Sequence, residues 1–140
     1  MDELKYQRYI VDTTNVPEAI DKMHSQPIDK KSRIVWLDNS VIEGAFYFTS
    51  RWYMQPFPDR NENHCHDFDE VLGFIGSDWE NPTELNGEIE LWLEDEKYIL
   101  TKSCVVFIPK GLKHLPLRVL RVDRPIMHIG TGPRSNYTRS

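Results

Sequence analysis

The chain has 140 residues, 39% hydrophobic and 28% charged, an ordinary globular composition with enough apolar material for one domain and a real core. Its net charge is −5, and Arg118, Arg121 and Arg124 are interleaved with apolar residues, so there is no basic face of the kind phosphate binding needs and nucleic acid is not an expected partner. No apolar run approaches a membrane span, and MDELKYQRYI lacks the basic-then-apolar layout of a secretory signal; the expected setting is cytoplasmic, with no membrane partner and with Cys65 and Cys104 as free thiols.

A short helix is predicted to begin near Asn15, where Asn15 and Glu18 have capping-box spacing and Pro17 is tolerated in the first turn. After the polar linker SQPIDKKS the pattern turns to strands: RIVWL, then VIEGAFYFTSRWYM, with Asp38, Asn39 and Ser40 marking a turn between them. In the second of these, Tyr47, Arg51 and Tyr53 share one face, and Phe46, Phe48, Trp52 and Met54 share the other. The apolar face is the expected core face. Period alone leaves open whether the Tyr47 and Arg51 face turns to a cavity or to solvent. PFPDRNEN is a loop, NHCH is predicted to be extended, and DEVLGFIG is the next strand. A polar loop, SDWENPTELNG, precedes EIELWLED, in which Ile89, Leu91 and Leu93 alternate with polar residues and Trp92. KYIL, CVVFIP, LRVLRV and PIMHIG complete the strands, with CVVFIP expected to be buried, and PRSNYTRS is a polar tail. Many short strands and almost no helix indicate an all-β antiparallel sandwich or barrel. The division is a single domain, 1–140, with an N-terminal extension carrying the short helix (1–33), a β-barrel (34–132) and the tail (133–140).

Two histidines flank one cysteine in NHCH, and Glu70 follows four residues after His66. In an extended chain His64 and His66 share a face and Cys65 takes the other, so the two imidazoles suit a metal while a Cys65 thiolate is turned away from it. Downstream, IPKGLKH places Pro109, Gly111 and His114 in the spacing PxGxxH. Pro109 stiffens the approach and Gly111 permits a tight turn that can aim His114 back into a barrel.

HxHxxxE followed by PxGxxH resembles the two motifs of the cupin superfamily. The resemblance implies a double-stranded β-helix, or jelly roll, that gathers His64, His66, Glu70 and His114 around one divalent transition metal per chain, of which iron, manganese, nickel and zinc are all credible. Where the family pattern carries two glycines and an asparagine, this chain has Pro58, Ser103 and Arg118. Cupins also commonly pair through sheet edges, which makes a homodimer the expected assembly.

Three nitrogens and one carboxylate oxygen leave positions open for water or substrate on a five- or six-coordinate ion. Two function classes follow. One is a metal-dependent enzyme of dioxygenase, isomerase or decarboxylase type acting on a small oxygen-bearing organic molecule; the other is a non-catalytic small-molecule or metal-binding protein. His128, in register with Ile126 and Gly130, is a candidate acid or base, and Tyr47 and Arg51 are candidate catalytic groups on the polar face of their strand. Asp67 and Asp69 lie between the ligands in sequence, and Trp79 is a candidate lid or subunit-contact aromatic.

Overall fold

The computed structural model describes residues 4–18, 20, 32–57 and 65–133. Among these, eight strands make two antiparallel sheets: β1 (Arg33–Leu37), β2 (Tyr47–Tyr53), β3 (Glu70–Gly76), β4 (Glu84–Leu93), β5 (Glu96–Lys102), β6 (Cys104–Ile108), β7 (His114–Val122) and β8 (Ile126–Gly132). One sheet runs β1-β2-β8-β3-β6 and the other β5-β4-β7. The fold is the all-β jelly roll expected from the sequence.

Alternation determines which side chains lie between the sheets. Leu85, Ile89 and Leu91 of β4 and Leu117 and Val119 of β7 meet Leu72 and Phe74 of β3, Ile108 of β6 and Ile126 of β8, each almost wholly buried. Removing each such side chain from water contributes about 1.5–3 kcal/mol before the cost of ordering the chain. On the other face of β4, Glu90 accepts hydrogen bonds from Arg118 and from the Trp92 indole, which is how a carboxylate is accommodated in a buried stretch. A second cluster, Ile20, Trp36, Tyr47 and Phe68, fills the side nearest the N-terminal segment.

Several elements differ from the sequence reading. The capping box lies one turn earlier, between Asp12 and Asn15, and caps a single 3-10 turn, Thr13–Asn15. Residues 18 and 20 have helical backbone, while Ala19 and 21–31, where most of the predicted helix falls, lie outside the described residues. Residues 38–46 are turns rather than strand: Asp38 accepts from the Ser40 N–H, Asn39 accepts from the Gly44 N–H, and β2 begins only at Tyr47. Local side-chain acceptors outcompete β-propensity there. On β2 the apolar face is not the core face. Tyr47, Thr49, Arg51 and Tyr53 are buried, whereas Phe46 and Met54 are exposed and Phe48 and Trp52 are half-buried. CVVFIP is likewise not a buried strand: β6 is the edge of the five-stranded sheet, and Val105 and Phe107 are 69% and 59% exposed. An apolar sequence run cannot reveal that no strand pairs beyond it.

Candidate metal centre

Glu70 is the first residue of β3 and His114 the first of β7, so both side chains project at strand ends, where backbone pairing positions them. Glu70 is opposite Ile108 on β6, and His114 is opposite Leu93 on β4. His66 lies ahead of β3, in a non-strand segment that bends at Asp67 and Phe68; the extended HxH strand is not formed at Cys65 and His66. That bend carries His66 back over Glu70. His66 Nε2 and His114 Nε2 each lie 3.3 Å from Glu70 Oε1, and one donor atom from each of the three residues falls within 4.8 Å of the others. All three side chains are at least 97% buried.

The electrostatics of the cluster are those of a cation site. Burial alone would raise the Glu70 carboxyl, but hydrogen bonds from His114 and His66 and their charge outweigh it and hold the pKa down at about 2. His114 Nδ1 lies 3.3 Å from the Leu112 carbonyl, an acceptor for the Nδ1 proton, so when the proton that Nε2 shares with Glu70 gives way to a metal the ring stays protonated at Nδ1 and turns an Nε2 lone pair toward the ion. An electron pair facing a carboxylate oxygen is satisfied by a cation between them, and two imidazoles with one carboxylate suit a first-row divalent metal. The donor set therefore fits the metal that the motifs imply.

The two motifs are joined by backbone contacts. The Gly111 N–H donates to the His66 carbonyl at 3.0 Å, and the Lys110 N–H donates to Asp69 Oδ1 at 2.8 Å. Gly111 has a φ of +85°, a conformation that a side chain strains, so the PxGxxH turn needs its glycine to fold back onto His66. Phe68 stacks on the His66 ring with centroids 4.7 Å apart. Asp69 thus holds the second motif against the first through a backbone amide. Its position between the ligands in sequence was the available signal.

His64 lies outside the described residues. Cys65 is half-buried and does not belong to the ligand cluster. Tyr47 packs in the second core cluster, its ring 5.3 Å from Trp36. His128 is stacked between Tyr53 and Phe74, with Nδ1 3.0 Å from the Gly73 carbonyl. Arg51 is its direct partner across β2 and β8, and Phe74 its partner on β3, four residues along from Glu70. Ser103 holds a strand junction, accepting from the Gly76 N–H and donating to the Pro82 carbonyl, while Arg118 is paired with Glu90. Trp79 is 83% exposed. Arg33, which sequence reading passed over, is buried beside Arg51; a charged residue opening the apolar run RIVWL was its signal. Among the described residues no helix is long and apolar enough to cross a membrane.

No protein-family model matches the sequence, and no curated protein matches it. Solved structures do. A cupin protein from Bacteroides fragilis superposes with a TM-score of 0.51 at 17% identity, covering 82% of this chain and 90% of that one. A Klebsiella pneumoniae protein with a double-stranded β-helix domain gives 0.52 at 10% identity, covering 85% and 90%. An oxalate oxidase in complex with glycolate gives 0.50 at 16% identity, covering 83% of this chain and 56% of that one. With two antiparallel sheets and both motif turns closing on one buried cluster, the chain has the fold of the cupin superfamily.

Proposed function

We propose that the protein is a metal-dependent enzyme acting on a small oxygen-bearing organic molecule, by dioxygenase, isomerase or decarboxylase chemistry. The observation that carries this reading is the convergence of His66, Glu70 and His114, with donor atoms within 4.8 Å, in a buried position. His64 is the fourth ligand in this reading. A bound ion would supply Lewis acidity and a template for an oxygen-bearing ligand, and iron, manganese, nickel and zinc all suit the donors. The residues' own part is to present neutral imidazoles and an ionised carboxylate, with the Leu112 carbonyl fixing the His114 tautomer. That oxalate oxidase, an enzyme, shares the fold supports catalysis as one outcome of this architecture. Burial of all three side chains supports the alternative, a binding protein without turnover.

The assembly in this reading is a homodimer, supported by the exposed apolar side chains of the edge strand β6. Elemental analysis of the purified protein tests the metal: about one ion per chain is expected, falling by at least ten-fold in His66→Ala and His114→Ala. Equal metal in all three proteins refutes the reading. Turnover is then sought by loading iron(II), manganese(II) or zinc(II) and following small keto acids, diketones, hydroxy acids and sugars by mass spectrometry. Consumption that vanishes in Glu70→Ala establishes the enzyme. Saturable binding without consumption establishes the binding protein.

A further inference from the structure

Arg33 and Arg51 are direct partners across β1 and β2, and they are only 3% and 7% exposed. Like charges placed opposite one another on an antiparallel pair repel, and a buried charge with no opposite charge is costlier still. Arg33 is anchored, donating to Thr49 Oγ1 at 2.6 Å and lying over the Trp36 ring. Arg51 is not. Its Nε is shielded from solvent and has no hydrogen-bond partner among the described residues, and no ion pair among those residues includes it. What it does have is the Tyr53 ring, 5.1 Å from the guanidinium carbon. A guanidinium packed on a ring keeps its in-plane N–H groups for an acceptor at its edge.

Arg51 lines a cavity of about 240 Å³ at the end of β2, with Ser32, Trp52, Tyr53, Met54, Gln55 and Phe57 as the other described walls. Among the described residues no lining residue is acidic. His128, across the strand from Arg51, is no counter-ion, since an imidazole is either neutral or cationic. The volume is about that of eight waters in the liquid, enough for a small molecule and too little for a peptide or nucleotide. One unpartnered guanidinium beside aromatic and thioether walls matches a single negative charge on an apolar body, whereas a phosphate dianion calls for more donors.

We infer that Arg51 anchors the carboxylate of a small organic acid in this cavity, the carboxylate oxygens accepting hydrogen bonds from the guanidinium. As a carboxylate site it stands whether or not the histidine cluster binds metal.

The test is calorimetric titration and thermal melting of the full chain with benzoate, succinate and pyruvate, using their methyl esters and inorganic phosphate as controls. Each protein is measured as purified and after chelation, with its metal content determined alongside. Saturable binding of at least one acid and not of its ester is expected, with a rise in melting temperature that survives chelation. Arg51→Met should weaken binding by about ten-fold or more, and without ligand it should melt no lower than wild type, since the unpaired buried charge is gone. Arg51→Lys, which keeps the charge and loses the fork, should bind with intermediate affinity. The inference is overturned by wild type that binds no carboxylate at millimolar concentration, by equal binding in wild type and both variants, or by binding of phosphate alone. Metal content reports on the proposed function separately, so a metal-free protein that binds acids through Arg51 upholds this site while refuting that one.

Discussion

The burial of His128 predicts a specific loss of stability in mild acid. Its ring lies between Tyr53 and Phe74, with centroids 5.1 and 4.8 Å away. Burial is the main cause that pushes its pKa down to about 4; the nearby Arg51 and Arg33 charges act in the same direction, while the Gly73 carbonyl and Glu70 oppose it. The unfolded value is about 6.5, so between the two values the unfolded chain binds a proton that the folded chain refuses. Stability from the neutral ring is therefore complete above about pH 6.5 and is lost as pH falls toward 4. The full difference corresponds to about 3 kcal/mol, of which about 2 kcal/mol is lost by pH 5; because the residue is half-buried, both are upper values. The assay is urea unfolding of wild type and His128→Phe at pH 7.5 and pH 5.0. Phenylalanine keeps the stack and cannot titrate, and subtracting the two proteins removes every other titrating group. The stability difference should move by about 1–2 kcal/mol in favour of the variant at pH 5.0. A difference that is the same at both pH values, or an NMR titration placing the imidazole pKa near 6.5, refutes the account.

Three further outcomes follow from the geometry. Gly132→Ala would put a Cβ 2.8 Å from the Asp69 carbonyl and 3.0 Å from the Phe68 ring, the ring that stacks on His66, so a loss of about 1–3 kcal/mol in urea unfolding is expected, together with weaker metal retention. Asp69→Ala removes the acceptor of the Lys110 N–H; about 1 kcal/mol of stability and about ten-fold in metal affinity should be lost in a chelator competition, with partial recovery in Asp69→Asn, whose Oδ1 still accepts. Phe107→Glu on the exposed face of β6 should convert the expected dimer to a species near the 16.5 kDa chain mass by light scattering, and an unchanged mass would exclude that face from the assembly.

Much of the fold is legible in the sequence because alternation is a local property. Ile89 and Leu91 face inward where the period of β4 places them, and RIVWL and DEVLGFIG coincide with β1 and β3 to within a residue or two. What was misread depends on neighbours distant in sequence. One face of β6 is exposed because no described element packs over that side of the strand, and the tyrosines of β2 are inside because Trp36, Phe57, Phe68 and His128 come from four other segments to meet them. Nothing within CVVFIP or YFTSRWY specifies those partners. A polar strand face can be an inner face whenever tertiary contacts shield it.

The candidate site shows the same division with a different cause. Ligand identity is written in residue types, so the resemblance of HxHxxxE and PxGxxH to the cupin motifs implies His66, Glu70 and His114 before any geometry is known, and these three do converge. The sequence reading places His66 in an extended HxH segment that shares one face with His64. In the structure His66 reaches Glu70 because the chain bends at Asp67 and Phe68, with the turn held by Asp69 and Gly111. A motif thus preserves which atoms meet without revealing the backbone path that brings them together. Arg51 is the converse case. Period alone leaves open which way its face turns, and its chemical meaning comes from the lack of a partner for its Nε among the described residues, which only the packed structure defines. A surface arginine in the same pattern would be solvated and inert, whereas burial opposite Arg33 with no counter-ion among the described residues is what supports Arg51 as the proposed carboxylate anchor. The affinity of Arg51→Met for carboxylates, set against its melting temperature, therefore separates the two: a structural arginine loses stability when replaced, and a ligand anchor loses binding.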